Sequence, residues 1–107
     1  MTQELIKKIY DKLAAELPEW DIHIIDSAIV LRFNSENVKY NVDMYIRVDN
    51  GIRIEVFMPD KNGSFMIVRN NKAIPVSKTE IRINHDGNVD RLIDIVLTIV
   101  LALAYNT

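Results

Sequence analysis

"VKYNVDMYIRVDNGIRIEVFM", residues 38–58, decides the fold of this chain. Val38, Tyr40, Val42, Met44, Ile46 and Val48 alternate with Lys39, Asn41, Asp43, Tyr45 and Arg47. Period two marks a strand with one buried face and one wet face. Ile52, Ile54, Val56 and Met58 repeat the alternation after the turn. The turn then has to choose a register. A two-residue Asn50-Gly51 loop would set Val48 opposite Arg53 and Ile46 opposite Glu55, mixing core with solvent on each face. A three-residue loop, with Gly51 left-handed in a bulge, sets Val48 opposite Ile52, Ile46 opposite Ile54 and Tyr45 opposite Glu55. The hydrophobic pattern selects the second.

Working outward, strands are expected at "WDIHII" (20–25), with Trp20, Ile22 and Ile24 on one face, and at "AIVLRF" (28–33), with Ile29, Leu31 and Phe33 on one face. "PDKNG" (59–63) reads as a turn. "SFMIVR" (64–69) reads as a strand, and "NN" (70–71) as a turn that tolerates left-handed geometry. "KAIPVS" (72–77) reads as an edge strand, because Pro75 has no N–H to give to a ladder. "TEIRIN" (79–84) places Ile81 and Ile83 inward.

A helix over about 3–17 precedes the strands. Leu5, Ile6, Ile9, Leu13 and Leu17 recur at helical spacing, and Pro18 disfavours helical geometry at Leu17. A second helix follows them, over about 89–105, with Asn88 as its cap. Runs of strands with segregated helices define an α+β fold. The expectation is an N-terminal helix, an antiparallel β-meander of six to seven strands and a C-terminal helix, with both helices on one face of the sheet. The alternative is a bent sheet or partial barrel capped by the last helix. The 107 residues make one domain, 1–107. A chain of this size buries roughly 65% of its unfolded surface. A hydrophobic fraction of 49% against 26% charged is an ordinary globular balance.

The final helix contains "LIDIVLTIVLALAY" (92–105). Arg91, Asp94, Thr98, Ala102 and Tyr105 form its polar stripe, and the apolar arc spans roughly 200°. A membrane span needs about 20 predominantly apolar residues, and Asp90, Arg91 and Asp94 cut this run short. Core is the first expectation. The second is that part of the arc meets another copy of the chain, forming a homodimer with Leu97 and Leu101 at the rim.

The chemistry is narrowed by absences. With no cysteine, the chain has no disulfide, thiolate metal site or cysteine nucleophile. The start, Met1-Thr2-Gln3-Glu4, lacks a basic segment followed by a long apolar one, so a cytoplasmic location is expected. His23 reads as a strand histidine on the wet face, and His85 sits in the turn "NHDGN". "DKNG" (60–63) lacks the spaced oxygen ligands of a calcium loop. Asp86, Asp90 and Asp94 recur four apart, which two carboxylates could use to hold magnesium for phosphoryl transfer. Acidic charge near a helix N-terminus explains them without a metal. No Gly-rich phosphate loop, nucleophile elbow or zinc-protease motif is present. No cofactor or metal and no catalytic set are expected.

The wet face of the sheet carries the remaining signal. Arg32, Lys39, Asp43, Tyr45, Arg47, Arg53, Glu55 and Phe57 all fall on it. Arginine beside aromatic residues suits a protein interface and also single-stranded nucleic acid. The net charge of -2 and the interleaved acids Asp43 and Glu55 favour protein over nucleic acid. The leading expectation is a small non-enzymatic interaction protein that binds through Arg32, Tyr45, Arg47, Arg53 and Phe57. Nucleic-acid binding is the alternative, and a metal-dependent enzyme is third.

Overall fold

The structure, a computed structural model, describes residues 2–33, 42–49, 51–69, 71–84 and 87–105. Helix α1 (Thr2–Glu16) leads into β1 (Asp21–Ile25), β2 (Ala28–Phe33), β3 (Val42–Val48), β4 (Ile52–Pro59), β5 (Phe65–Arg69) and β6 (Lys72–Ile83), and α2 (Val89–Tyr105) follows. The fold is α+β. The six strands form one antiparallel sheet, curled into a half-barrel, and both helices pack on its apolar face.

The register of the deciding hairpin is the expected one: Val48 pairs with Ile52, Ile46 with Ile54 and Tyr45 with Glu55. Gly51 does not have the positive φ of a left-handed bulge residue. Its role is close approach, since a Cβ there would stand 3.1 Å from the Ile83 carbonyl oxygen of β6. The first half of the strand pattern, residues 38–41, lies outside the described residues.

The strands run as a meander through β4 and then depart from it. The spatial order is β1-β2-β3-β4-β6-β5, so β6 enters between β4 and β5. "KAIPVS" and "TEIRIN" join into this single strand, and the edge position expected for the first of them belongs to β5. Pro75 is tolerated inside because of what stands opposite it. Asp60 N–H donates to the Pro75 carbonyl at 2.9 Å, and the Asp60 carbonyl, which Pro75 cannot serve, accepts from Gly63 N–H at 2.8 Å. The proline thus ends the β4 ladder where the chain turns. Asp60 Oδ1 accepts from Asn62 N–H at 3.0 Å, so "DKNG" is a turn held by its own aspartate. Gly63 is required there, because a Cβ would fall 2.1 Å from the Val76 carbonyl oxygen. Asn71 takes the left-handed geometry expected of it, with φ 63°.

One aliphatic core fills the helix side. Ile6, Ile9, Leu13 and Leu17 of α1 and its end meet Ile22, Ile29, Leu31, Met44, Ile46, Val48, Ile52, Ile54 and Val56 of the sheet. Leu92, Ile93, Val96 and Val100 of α2 complete the cluster. Asn88 caps α2 as expected, accepting from Arg91 N–H at 3.1 Å. "LIDIVLTIVLALAY" is therefore core along its inner side. Among the described residues no helix is long and apolar enough to cross a membrane.

Candidate functional site: the open face of the sheet

The face turned away from the helices holds side chains in cross-strand rows. One row runs Asp21, Arg32, Asp43, Phe57, Lys78; the next runs His23, Val30, Tyr45, Glu55, Glu80; a third runs Ile25, Ala28, Arg47, Arg53, Arg82. The face thus gathers Arg32, Tyr45, Arg47, Arg53 and Phe57, as the alternation implied. Lys39 lies outside the described residues. Lys78, Glu80, Arg82 and Phe65 join them without having been anticipated. The parity of β6, with Ile81 and Ile83 inward, already placed 78, 80 and 82 outward. What periodicity does not reveal is which strand they flank.

Like charges face each other in register on this surface: Arg47 opposite Arg53, Arg53 opposite Arg82 and Glu55 opposite Glu80. Such pairs destabilise a sheet. Ion pairs, diagonal between strands or along one strand, relieve them. Arg47 Nε–H donates to Glu55 Oε1, and Lys78 Nζ donates to Glu55 Oε2 at 3.3 Å. Glu80 Oε1 accepts from Arg82 Nε at 2.9 Å and lies 3.8 Å from Arg53 Nε. In the first row Arg32 instead faces the opposite charge of Asp43 directly, its Nε 3.7 Å from Asp43 Oδ2.

Two of the acids are buried. Asp43 is 1% exposed and Glu55 6%. Burial raises the pKa of Glu55, but the hydrogen bonds and charges of Arg47 and Lys78 outweigh it and hold the carboxyl below its ordinary value. The centre of the open face is therefore a polar packing layer, while Asp21, His23, Arg32, Lys78, Glu80 and Arg82 around it are exposed.

An aromatic stripe crosses this layer. Tyr45 and Phe57 meet edge to face with centroids 5.4 Å apart, and Phe57 meets Phe65 at 6.0 Å. Cations close both ends, Arg47 over Tyr45 at 5.4 Å and Lys78 over Phe65 at 5.5 Å. Beside the stripe a shallow hollow of about 210 Å³ opens between Arg32 and Arg47, with Ala28 and Val30 beneath it.

The other sequence candidates fall elsewhere. Leu97 and Leu101 are half-buried and packed against the core, whereas Ile95 is the exposed large apolar residue among the described side chains of α2, at 36%. Asp90 and Asp94 are exposed on α2. His85 and Asp86 lie outside the described residues, and among the described residues no three His, Asp or Glu side chains gather as a metal site. His23 is exposed and contacts Asp21 on β1.

No family model, curated protein or solved structure matches this chain.

Proposed function

We propose that this is a small non-enzymatic protein that acts by binding another protein through the open face of its sheet. The observation that carries this reading is the Tyr45–Phe57–Phe65 stripe, part-exposed and bracketed by Arg47 and Lys78. Tyrosine, phenylalanine and arginine are the residues that interfaces concentrate. The rings are braced by one another and by fixed cations, so little side-chain freedom is lost when a partner covers them.

Single-stranded nucleic acid would also stack on aromatic rings. It fits less well, because phosphate binding draws on free cationic charge. Here Arg47 and Lys78 share Glu55, and Arg53 and Arg82 share Glu80.

Photo-crosslinking in cells tests the reading. A photoreactive residue replacing Phe65 or Tyr45 should capture the same protein, and one replacing exposed Lys8 on α1 should not. The double change Arg47→Glu with Lys78→Glu should abolish capture. A nuclease-sensitive adduct would instead establish the nucleic-acid reading, and no adduct at either ring would defeat both.

A further inference from the structure

Among the described residues the sheet has two edges, β1 and β5. An edge strand shows unpaired N–H and C=O groups, and chains guard such edges with charge, proline or bulges. β1 exposes Ile24 and Ile25 but is guarded by charge: the Asp21–His23 contact sits on it, with both side chains more than half exposed. β5 opens with four apolar residues, Phe65, Met66, Ile67 and Val68, and has no proline or acid of its own.

Pro75 reveals which groups the β5 edge presents. Its carbonyl accepts from Asp60, so its backbone polar groups point towards β4. In an antiparallel ladder the N–H and C=O of one residue point to the same side, and the side alternates along the strand. Met66 faces Pro75 across the β5–β6 ladder, so that pair exchanges no hydrogen bonds. The N–H and C=O of Met66 must then point outward to the free edge, and those of Val68, two residues on, do the same. The side chains of these two residues are also the most exposed large apolar ones among the described residues, at 66% and 71%.

We propose that β5 is a self-pairing edge, joining two copies of the chain antiparallel about a two-fold axis through Ile67. An axis normal to the sheet keeps each face with its like, so paired residues must have the same parity in the strand. Centred on Ile67, the pairing sets Met66 opposite Val68 of the second copy, and Val68 opposite its Met66. Every outward N–H and C=O of these residues then finds its complement, and the exposed methionine and valine cover one another. Ile67 meets its own equivalent as a non-hydrogen-bonded pair. The two sheets become one, and both aromatic stripes face the same way. This assembly does not depend on what the open face binds.

The chain has no cysteine, which makes the test clean. In Ile67→Cys the two cysteines would have Cα atoms about 4.5 Å apart, inside the span of a disulfide. Mild oxidation should give a covalent dimer, and Ile25→Cys on the guarded edge should not. Light scattering should return twice the chain mass for the unmodified protein. The combined Met66→Lys and Val68→Lys variant should return the single mass with an unchanged far-ultraviolet circular dichroism spectrum. The proposal is overturned by an unmodified protein that is monomeric at every concentration, by a dimer that survives both lysines, or by Ile67→Cys linking no faster than Ile25→Cys.

Discussion

The two faces of this sheet are built on opposite principles. On the helix side, aliphatic residues face aliphatic residues through the centre of the sheet: Ile29 with Ile46, Ile46 with Ile54 and Ile54 with Ile81. Shape and volume are all such a layer must satisfy. On the open side the polar and aromatic residues meet particular partners. Glu55 is held by Arg47 and Lys78, and Phe57 touches both Tyr45 and Phe65. A sheet surface selected only for stability would set opposite charges opposite each other. This one does so in the Asp21–Arg32–Asp43 row, but it sets Arg47, Arg53 and Arg82 together in another row, where Glu55 and Glu80 offset the repulsion. The covered face is ordered by burial, and the open face by a defined pattern of cations, carboxylates and aromatic rings.

The contrast is broken most forcefully from the covered side. Ile46 is fully buried between strands and helices. Ile46→Ala should cost about 2–5 kcal/mol, the lost transfer energy plus the cavity left behind. Urea denaturation checks this, and a loss below 1 kcal/mol would mean the core is looser than its burial implies. Leu101→Asp follows, at about 2 kcal/mol. It combines the transfer energy of a half-buried leucine with partial desolvation of a carboxylate. Its mass in solution should match that of the unmodified chain. A folded variant with a smaller mass would return α2 to the role of dimer contact.

Much of the covered face was legible in the sequence, because burial imposes a period. The alternation of Val48, Ile46, Ile52 and Ile54 was enough to fix the β3–β4 register without coordinates. The place of β6 was not legible. Pro75 carries the local signature of an edge strand, and only Asp60 reaching back to its carbonyl shows how an interior position accommodates it. The open face was read in outline for the same reason. Tyr45, Arg47 and Phe57 follow from parity within a hairpin. Lys78 meets Glu55 from 23 residues away, across a strand order that no local pattern encodes. The burial of Glu55 was missed with it, since a glutamate alternating with valine and isoleucine reads as solvated until its cations are in place.

Glu55 offers a third way to sharpen the comparison, through pH. Its carboxyl is held below its ordinary value in the folded protein. The stability it contributes is therefore present above the unfolded carboxylate pKa and lost as pH falls through the depressed folded value. Glu55→Gln should cost about 1–2 kcal/mol at neutral pH, where charge-assisted hydrogen bonds are lost. The gap between the two proteins should close as the solution is acidified. Urea midpoints at neutral and acidic pH would show it. A gap of constant size would mean that shape, not charge, is what Glu55 supplies.

The smallest effect is expected at Arg82, and it tests whether the arginine row matters for stability at all. Arg82 and Arg53 share Glu80, but their surroundings differ: the Arg82 side chain is 75% exposed and that of Arg53 34%. An exposed ion pair contributes little, because water screens it and two long side chains must be held still. Arg82→Ala should therefore shift stability by no more than about 0.5 kcal/mol, in either direction, since it also removes the like charge opposite Arg53. Arg53→Ala should cost more, because it strips a half-buried stem from the sheet as well as a charge. If thermal melting ranks the two in that order, the outer end of the row is dispensable to the fold, and its reason for being arginine lies in what the face contacts. If Arg82→Ala proves as damaging as Arg53→Ala, Glu80 depends on both cations, and the row belongs to the fold before it belongs to any partner.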